Sequence, residues 1–167
     1  HAIGQDPEIQ AARHAEAGVD TKRLGERVTL VTGAGGPMGR AVALKLAREG
    51  ARLVLTDISG NRLAGTEQAV ADAVPGAASV AVRANAMDRQ EASEVVARGT
   101  DAFGRIDVLV NVVGGIRSSS LYTSFLELDE ARWDDTFALN LKPCFHMIRR
   151  VAPGMLERGW GRIVNVA

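Results

Sequence analysis

The sequence predicts a three-layer α/β/α fold built on a doubly wound parallel sheet. Five short apolar runs rich in β-branched residues alternate with four segments of helical periodicity. Strands that alternate with helices in this way form a parallel sheet that is covered on both faces. In addition, the first apolar run passes directly into a glycine-dense turn at residues 32–39, which opens a helical pattern. A strand, a tight glycine turn and a helix are the start of a βαβ unit.

The predicted elements follow one another without internal repeats or low-complexity tracts. Polar residues 1–27 are predicted to form an N-terminal arm, and residues 28–167 a single domain large enough to bury a core. We predict strands at residues 28–32, 52–57, 78–82, 106–111 and 162–166. We predict helices from the glycine turn to Gly50 and near residues 60–73, 88–103 and 129–152.

Composition limits the classes of function. Because 20 Lys and Arg balance 20 Asp and Glu, no net charge attracts nucleic acid or an anionic membrane surface, and a small molecule is the expected partner. The single cysteine, Cys144, suits a reducing compartment, and the three scattered histidines form no metal-binding pattern. No apolar run approaches the roughly 18 residues of a membrane span. We therefore expect a cytoplasmic protein without a bound metal.

The glycine turn is the first candidate site. A pyrophosphate needs backbone N–H groups that it can approach closely, at a helix N-terminus that carries positive partial charge. Gly33, Gly35, Gly36 and Gly39 provide such a turn, although Met38 occupies the third position of the usual Gly-x-Gly-x-x-Gly spacing. Taken alone, the segment is also compatible with a tight strand-to-helix turn that binds nothing.

Asp57 is the second candidate, because it ends the second predicted strand 24 residues after Gly33. The acid that accepts hydrogen bonds from an adenosine ribose follows the turn at a spacing of roughly 20 residues. Since its carboxylate repels a 2′-phosphate, the sequence favours NAD over NADP. Arg40 and Arg62 lie close enough in the sequence to keep NADP open. The structural alternative for Asp57 is an exposed turn residue or a helix N-cap.

Other polar residues and glycines also follow predicted strands. Asn85 and Asn111 end the third and fourth strands, and Gly114 lies just beyond. Ligands of doubly wound sheets bind at the carboxyl ends of the strands, so this shared position predicts a binding crevice at that edge. Structural roles remain open for both asparagines, since Asn85 also suits a helix cap and Asn111 a link between strands.

Together these residues resemble the short-chain dehydrogenase/reductase family. The Thr-Gly-x-x-x-Gly-x-Gly turn of that family corresponds to Thr-Gly-Ala-Gly-Gly-Pro-Met-Gly at residues 32–39, and its Asn-Asn-Ala-Gly motif corresponds to Asn-Val-Val-Gly at residues 111–114. Asn85 and Ala86 stand where the family has an adenine-contacting Asp-Val pair. Asn140 matches an asparagine of the family's catalytic helix.

The resemblance runs from about residue 27 to the end of the sequence and implies a Rossmann fold. It further implies an oxidoreductase that transfers a hydride between NAD, or less expectedly NADP, and a small alcohol or ketone substrate. Members of the family commonly assemble as tetramers or dimers through the helix predicted near residues 129–152 and the helix after it, so a homo-oligomer is expected. The implied cofactor-binding residues are Gly33, Gly35, Gly36, Met38, Gly39, Asp57, Ile58, Asn85, Ala86, Asn111, Val113 and Gly114.

Asn140 is the one residue of this sequence to which the resemblance implies a catalytic role. Its backbone carbonyl is implied to hold a water in a proton relay to an active-site lysine. The residue also falls in a predicted inward stripe of the long helix, where a buried amide needs partners because an unpaired one costs about 1–3 kcal/mol. The stripe consists of Trp133, Phe137, Cys144, Ile148 and Val151. The structural alternative is an asparagine that locks the helix to a neighbouring loop.

The sequence also departs from the family pattern. Pro37 replaces a glycine of the phosphate turn and is expected to hold Gly36 in an extended conformation. Val112 and Val113 replace smaller or polar residues and place larger side chains beside the expected nicotinamide ribose. The family's catalytic serine, tyrosine and lysine are expected beyond Ala167, so we interpret the domain as C-terminally incomplete.

Two other functions stay open at this point. A dinucleotide-binding or sensing module without catalysis would carry the same glycine turn. An S-adenosylmethionine-dependent methyltransferase also places such a turn after its first strand and an acid after its second. Asn140 favours an enzyme over a module, because the residue would otherwise have no reaction to serve. The Asn-Val-Val-Gly segment at residues 111–114 favours the dehydrogenase over the methyltransferase.

Overall fold

The computed structural model describes residues 22–115 and 124–166. The strands are β1 (Val28–Thr32), β2 (Arg52–Asp57), β3 (Ser79–Arg83), β4 (Val108–Asn111) and β5 (Arg162–Asn165). The α-helices are α1 (Pro37–Arg48), α2 (Gly60–Ala73), α3 (Arg89–Phe103) and α4 (Glu130–Glu157). A short 3₁₀ helix at Phe125–Glu127 precedes α4. The predicted alternation of strands and helices is confirmed.

The five strands form one parallel sheet in the order β3-β2-β1-β4-β5. Leu30 of β1 lies between Val54 of β2 and Leu109 of β4. From β1 the chain winds outward to β3 and then crosses back to build β4 and β5 on the other side. The order therefore reverses between β1 and β4, which is the place where doubly wound sheets leave a crevice at their carboxyl ends.

Two hydrophobic clusters cover the two faces of the sheet. One cluster joins the strands to α3 and α4 through Val95, Met147 and Val151. The other joins them to α1 and α2 through Ala43 and Leu63. The central strand β1 is buried along its whole length, as expected for a strand between two helical layers. The predicted three-layer, doubly wound α/β sheet is confirmed.

The helix boundaries follow local capping chemistry. Side-chain oxygens of Ser59, Asp88 and Asp129 accept hydrogen bonds from backbone N–H groups in the first turns of α2, α3 and α4. These bonds satisfy donors that a helix leaves unpaired at its start. Gly104 ends α3 with φ of 77°, a left-handed conformation that glycine adopts without strain.

The long helix α4 differs from its prediction in length and in its buried face. It continues to Glu157 because Pro153 is accommodated inside it, and Met155 beyond the proline is buried. Trp133 and Phe137, both predicted to face inward, are each 45% exposed, so that part of the predicted stripe is wrong. Helix residues buried in the structure are Pro143, Met147, Val151 and Met155.

Length explains where the buried face of α4 starts. A helix of 28 residues is about 42 Å long, whereas β4 has four residues and spans about 13 Å. A helix this long extends well past the sheet. Its buried residues begin at Pro143, so the first turns are the part that lies beyond the strands and leaves Trp133 and Phe137 exposed.

Part of the predicted N-terminal arm packs on the domain. The backbone N–H of Leu24 donates to the Glu49 carbonyl at 2.9 Å, and that of Glu26 donates to the Gly50 carbonyl at 3.0 Å. The Arg23 guanidinium holds the Glu49 carboxylate through two hydrogen bonds of 2.7 and 2.9 Å, and the bonds from Arg23 and Lys45 lower the pKa of Glu49 to about 2. Residues 1–21 of the arm lie outside the described residues.

Candidate active site

A groove of about 780 Å³ opens at the carboxyl ends of the strands, where the strand order reverses. Most predicted site residues line it, although they come from separate strand ends and helices. Those residues are Gly33, Gly36, Met38, Gly39, Asp57, Ile58, Asn85, Ala86, Val113, Gly114 and Asn140. Gly35 and Asn111 lie beside or beneath the groove and do not line it.

The glycine turn between β1 and α1 is tightly packed. Gly33 has φ of 65°, in the left-handed region that L side chains rarely adopt. A Cβ on Gly39 would overlap the carbonyl oxygen of Gly33 and approach Ala34 Cα at 2.8 Å. The turn therefore needs glycine at both positions to bring the chain from the strand into the helix.

The N-terminus of α1 faces the groove without a side-chain cap. Gly36 is extended, with φ of −78° and ψ of 163°, and Pro37 opens the helix, as the sequence predicts. Among the described residues, no side-chain hydrogen bond caps this helix, and no acidic residue lies in its first turn. Its Met38 and Gly39 N–H groups belong to the unpaired donors at the start of any helix. An anion at this position would meet free donors and the positive end of the helix dipole.

Asp57 is 7% exposed and fixed by backbone donors. Its Oδ2 accepts the Gly35 N–H at 3.0 Å, and its Oδ1 accepts the Ser59 N–H at 2.8 Å. The N-cap of α2 is Ser59 rather than Asp57, so neither structural alternative for Asp57 describes it. The carboxylate is buried, preoriented and open to the groove.

Gly35 lies directly against the Asp57 carboxylate. A Cβ on Gly35 would lie 2.8 Å from Arg62 Cβ and 2.9 Å from Asp57 Cγ. Only glycine at this position lets the turn donate its N–H to Asp57. Gly35 therefore positions the acid and does not line the groove.

Asn85 and Ala86 form the third side of the groove. The Asn85 side-chain oxygen accepts the Met87 N–H at 3.1 Å, and the Asn85 N–H donates to Glu91 Oε2 at 2.7 Å. Asp88, not Asn85, caps α3. The Ala86 carbonyl lies 3.3 Å from Nδ1 of His146, which links this edge to α4.

Asn111 is buried beneath the groove. Its Nδ2 donates to Oδ1 of Asn165 at 2.8 Å and so joins β4 to β5, which is the structural role that the sequence left open. Among the described residues, its Oδ1 has no hydrogen-bond partner although it is buried. At residues 112 and 113, both backbone N–H groups point to Thr32 Oγ1, at 3.1 and 3.4 Å. Thr32 thereby fixes the chain that leaves β4 against the glycine turn.

Asn140 locks α4 to the loop that follows β4. Its Oδ1 accepts the Gly115 N–H at 2.9 Å, and its Nδ2 donates to the carbonyls of Gly115 at 2.9 Å and Thr136 at 2.7 Å. The side-chain oxygen and nitrogen of Asn140 therefore both have hydrogen-bond partners within the protein, as the structural alternative for this residue predicts. Its backbone carbonyl lies on the helix that lines the groove.

Several lining residues were not identified from the sequence. They are Ala84, Met87, Thr136, Leu139 and Val166. Thr136 lies four residues before Asn140 and three before Leu139, so the i, i+3, i+4 periodicity of a helix could have indicated both once Asn140 was chosen. Ala84 and Val166 directly follow strand positions, and apolar residues there carry no distinguishing pattern.

Comparison with known proteins decides the family. A family model described as short chain dehydrogenase matches residues 27–167. The chain belongs to the short-chain dehydrogenase family. The resemblance proposed from residues 32–39 and 111–114 is thereby confirmed, together with its starting point near residue 27.

Relatives and solved structures agree with this family. A levodione reductase from Leifsonia aquatica is 35% identical over 147 residues, which are 88% of this chain and 54% of the relative. A 3-oxoacyl-(acyl-carrier-protein) reductase from Thermotoga maritima is 37% identical over 145 residues, or 87% and 56% of the two chains. The chain thus spans about half the length of these two relatives.

The crystal structure of a levodione reductase superposes with a TM-score of 0.79 at 34% identity, covering 86% of this chain and 54% of that one. A short-chain dehydrogenase/reductase from Burkholderia phymatum, solved in complex with NAD, superposes with a TM-score of 0.75 at 30% identity. That comparison covers 86% of this chain and 50% of the other. Within residues 22–115 and 124–166, no helix combines the length and apolar character that a membrane span requires.

Proposed function

We propose that this chain forms the cofactor-binding part of an NAD-dependent oxidoreductase, which transfers a hydride between nicotinamide and a small alcohol or ketone. The observation that carries the proposal is the pairing of an uncapped helix N-terminus with a buried, preoriented carboxylate in one groove. A dinucleotide needs both features, because its pyrophosphate is anionic and its adenosine ribose donates hydrogen bonds.

Successive parts of the groove would bind successive parts of the dinucleotide. The Met38 and Gly39 N–H groups would receive the pyrophosphate, and Asp57 would accept hydrogen bonds from the adenosine ribose. Ile58, Asn85 and Ala86 would flank the adenine, as lining residues next to that carboxylate. A bound nicotinamide cofactor supplies the hydride chemistry.

The nicotinamide end would lie beside the chain that leaves β4. Val113 and Gly114 line the groove there, and Gly115 is held by the Asn140 side chain. We assign Asn140 a positioning role through these bonds and, through its backbone carbonyl, a place in proton transfer. The serine, tyrosine and lysine that complete the reaction are proposed to follow residue 167.

The test of this function is hydride transfer by the full-length protein. Purified protein is incubated with NAD and a panel of small alcohols, or with NADH and the matching ketones, and absorbance at the reduced-nicotinamide band is followed. Turnover with at least one pair is expected. NAD binding without turnover across the panel would favour the binding or sensing module.

A parallel titration distinguishes the proposed oxidoreductase from an S-adenosylmethionine-dependent methyltransferase. NAD, NADP and S-adenosylmethionine are titrated into the protein by calorimetry, and NAD is expected to bind most tightly. Binding of S-adenosylmethionine alone would overturn the oxidoreductase. Residues 111–114 and the family assignment favour the dehydrogenase.

We also propose that the protein forms a homo-oligomer, a dimer or tetramer, through α4. Four large apolar side chains recur every four residues along this helix and are 45–58% exposed: Trp133, Phe137, Leu141 and Phe145. Acidic residues at 134 and 135 lie near one end of this stripe, and arginines at 149 and 150 lie near the other. Two copies of α4 crossing antiparallel at Leu141 would bring each acidic end against a basic end.

A further inference from the structure

A second cavity lies outside the cofactor groove, between the start of α3 and the middle of α4. It has a volume of about 360 Å³ and is lined by Arg89, Phe145, His146, Arg149 and Arg150. Arg89 is the first residue of α3, and the other four are neighbours on two successive turns of α4. Small-molecule sites have volumes of roughly 300–1,000 Å³. The cavity is therefore large enough for a small ligand, and it shares no lining residue with the groove.

The charge of this cavity is unbalanced. Three of its described lining residues are arginines, and none is acidic. None of these guanidinium groups forms an ion pair or a hydrogen bond with another described residue. Like charges that are held close together repel one another. An anion in the cavity would offset that repulsion.

The acidic residues at the start of α3 are already engaged elsewhere. Asp88 Oδ1 accepts the backbone N–H groups of Gln90 and Glu91 at 2.8 and 2.9 Å. Glu91 Oε2 accepts the Asn85 N–H at 2.7 Å. Both carboxylates thus bind backbone donors, and neither lines the cavity. A counter-charge for the arginines therefore has to come from outside the described residues.

Two aromatic rings form a wall of the same cavity. Phe145 is 54% exposed, and its ring centroid lies 5.7 Å from that of His146. The Arg149 guanidinium carbon lies 5.4 Å from the centroid of the Phe145 ring, a distance at which a cation and a ring attract each other. This contact leaves the N–H donors of Arg149 available. An aromatic group against Phe145 would place its substituents near those donors.

We propose that this cavity binds a small organic phosphate that carries an aromatic group. The phosphate would be held by Arg89, Arg149 and Arg150, since guanidinium groups offer planar, paired donors that match its oxygens. A phosphate monoester carries a charge of about −1.5 to −2 at neutral pH, so it offsets more of the positive charge than a carboxylate does. The aromatic group would lie against Phe145. The inference goes beyond the proposed function and does not depend on cofactor binding.

Acidic residues of a second copy are the competing occupant. The contact proposed for α4 brings Asp134 and Asp135 of one copy near Arg149 and Arg150 of the other. Arg89 lies on α3, outside the stripe that forms that contact. A ligand inside the cavity would contact arginines from both helices, so the lining residues favour the ligand.

The test is a titration with phenyl phosphate. It is titrated by calorimetry into the full-length protein and its R89A, R149A and R98A variants. We expect wild type to bind it, and R89A and R149A each to weaken binding about tenfold or more, as for the loss of a charged hydrogen bond. Arg98 is an exposed residue of α3 that does not line the cavity, so R98A should stay within about twofold of wild type. Circular dichroism melts establish that each variant is folded.

The aromatic wall is tested with F145L, which keeps an apolar side chain but removes the ring. Wild type should bind phenyl phosphate about threefold to tenfold more tightly than inorganic phosphate, the range for a pair of aromatic rings. F145L should abolish this difference and leave the affinity for inorganic phosphate within about twofold. Equal affinities of wild type for the two phosphates would overturn the aromatic part of the proposal.

Three other results would overturn the phosphate site. Binding that neither R89A nor R149A weakens would place the phosphate elsewhere, such as at the N-terminus of α1. An equal loss in R98A would show attraction to surface charge in general. If wild type does not bind phenyl phosphate but the double variant D134N/D135N does, acidic residues of a second copy occupy the cavity.

Discussion

Asp57 illustrates what a single residue contributes to this site and how much of it the sequence could predict. Its position at the end of a strand predicted a ribose-binding acid, and the structure places it buried in the groove. Its backbone donors, Gly35 and Ser59, are set by the path of the turn in three dimensions. The contact with Arg62 likewise depends on the pitch of α2 against the turn, so the sequence left Arg62 only as a nearby charge.

Replacing Asp57 by alanine tests its assignment to the ribose. We expect D57A to weaken NAD by about tenfold to a hundredfold, the range for a hydrogen bond to a charged group. NADP should be weakened less, because the same change removes repulsion of the 2′-phosphate. Calorimetric titration of both cofactors measures the ratio, and an equal loss for both would show that Asp57 does not contact the ribose.

Gly39 and Gly65 provide a matched pair of alanine substitutions. G39A should abolish detectable NAD binding and lower the melting temperature, because its Cβ would overlap the Gly33 carbonyl. In contrast, no atom lies within 4 Å of a Cβ placed on Gly65 in the exposed face of α2. G65A should therefore keep NAD binding and stabilise the domain by about 0.5–1 kcal/mol. Thermal melts and NAD titrations of both variants measure these effects. A G39A protein that binds NAD normally would show that the turn does not need glycine at residue 39.

Among the elements, those bounded by strong local signals were predicted most closely. The prediction for β2 matches Arg52–Asp57 and that for α2 matches Gly60–Ala73, since Ser59 caps the helix and the strand carries a Leu-Val-Leu run at residues 53–55. For α4, the prediction ended five residues before Glu157 and assigned the wrong exposure to Trp133 and Phe137. Whether a helix end overhangs a sheet depends on the lengths of strands that are far away in the sequence. Local pattern carries no such information.

The exposed stripe on α4 gives a prediction for this element. L141E places a charge at the centre of the proposed contact, where the side chain is 58% exposed, so folding of the subunit should be unaffected. The variant should sediment as a smaller species than wild type in analytical ultracentrifugation, because two like charges would meet at the crossing point. E94Q on α3, an exposed substitution away from the stripe, serves as the control. An unchanged oligomer in L141E would remove α4 from the interface.

At the scale of the whole molecule, the strand order brings residues from different strands together in one groove. Gly33, Asp57, Asn85 and Gly114 are far apart in the sequence, yet the parallel sheet brings all four to the groove. The sequence predicted this convergence because parallel strands place their carboxyl ends at one edge. Asn111 shares that edge but points beneath it, toward Asn165. The sequence pattern therefore predicted which residues lie at the strand ends, but not the direction in which each side chain points.

Hydrogen exchange in the presence and absence of saturating NAD tests whether this groove binds the cofactor. It follows the backbone amides of the full-length protein by mass spectrometry. We expect NAD to slow exchange in peptides covering residues 33–39 and 57–58, with little change at the distant C-terminal end of α1 near Arg48. Unchanged exchange in those peptides, or protection confined to another face of the molecule, would contradict the assignment of this groove as the cofactor site.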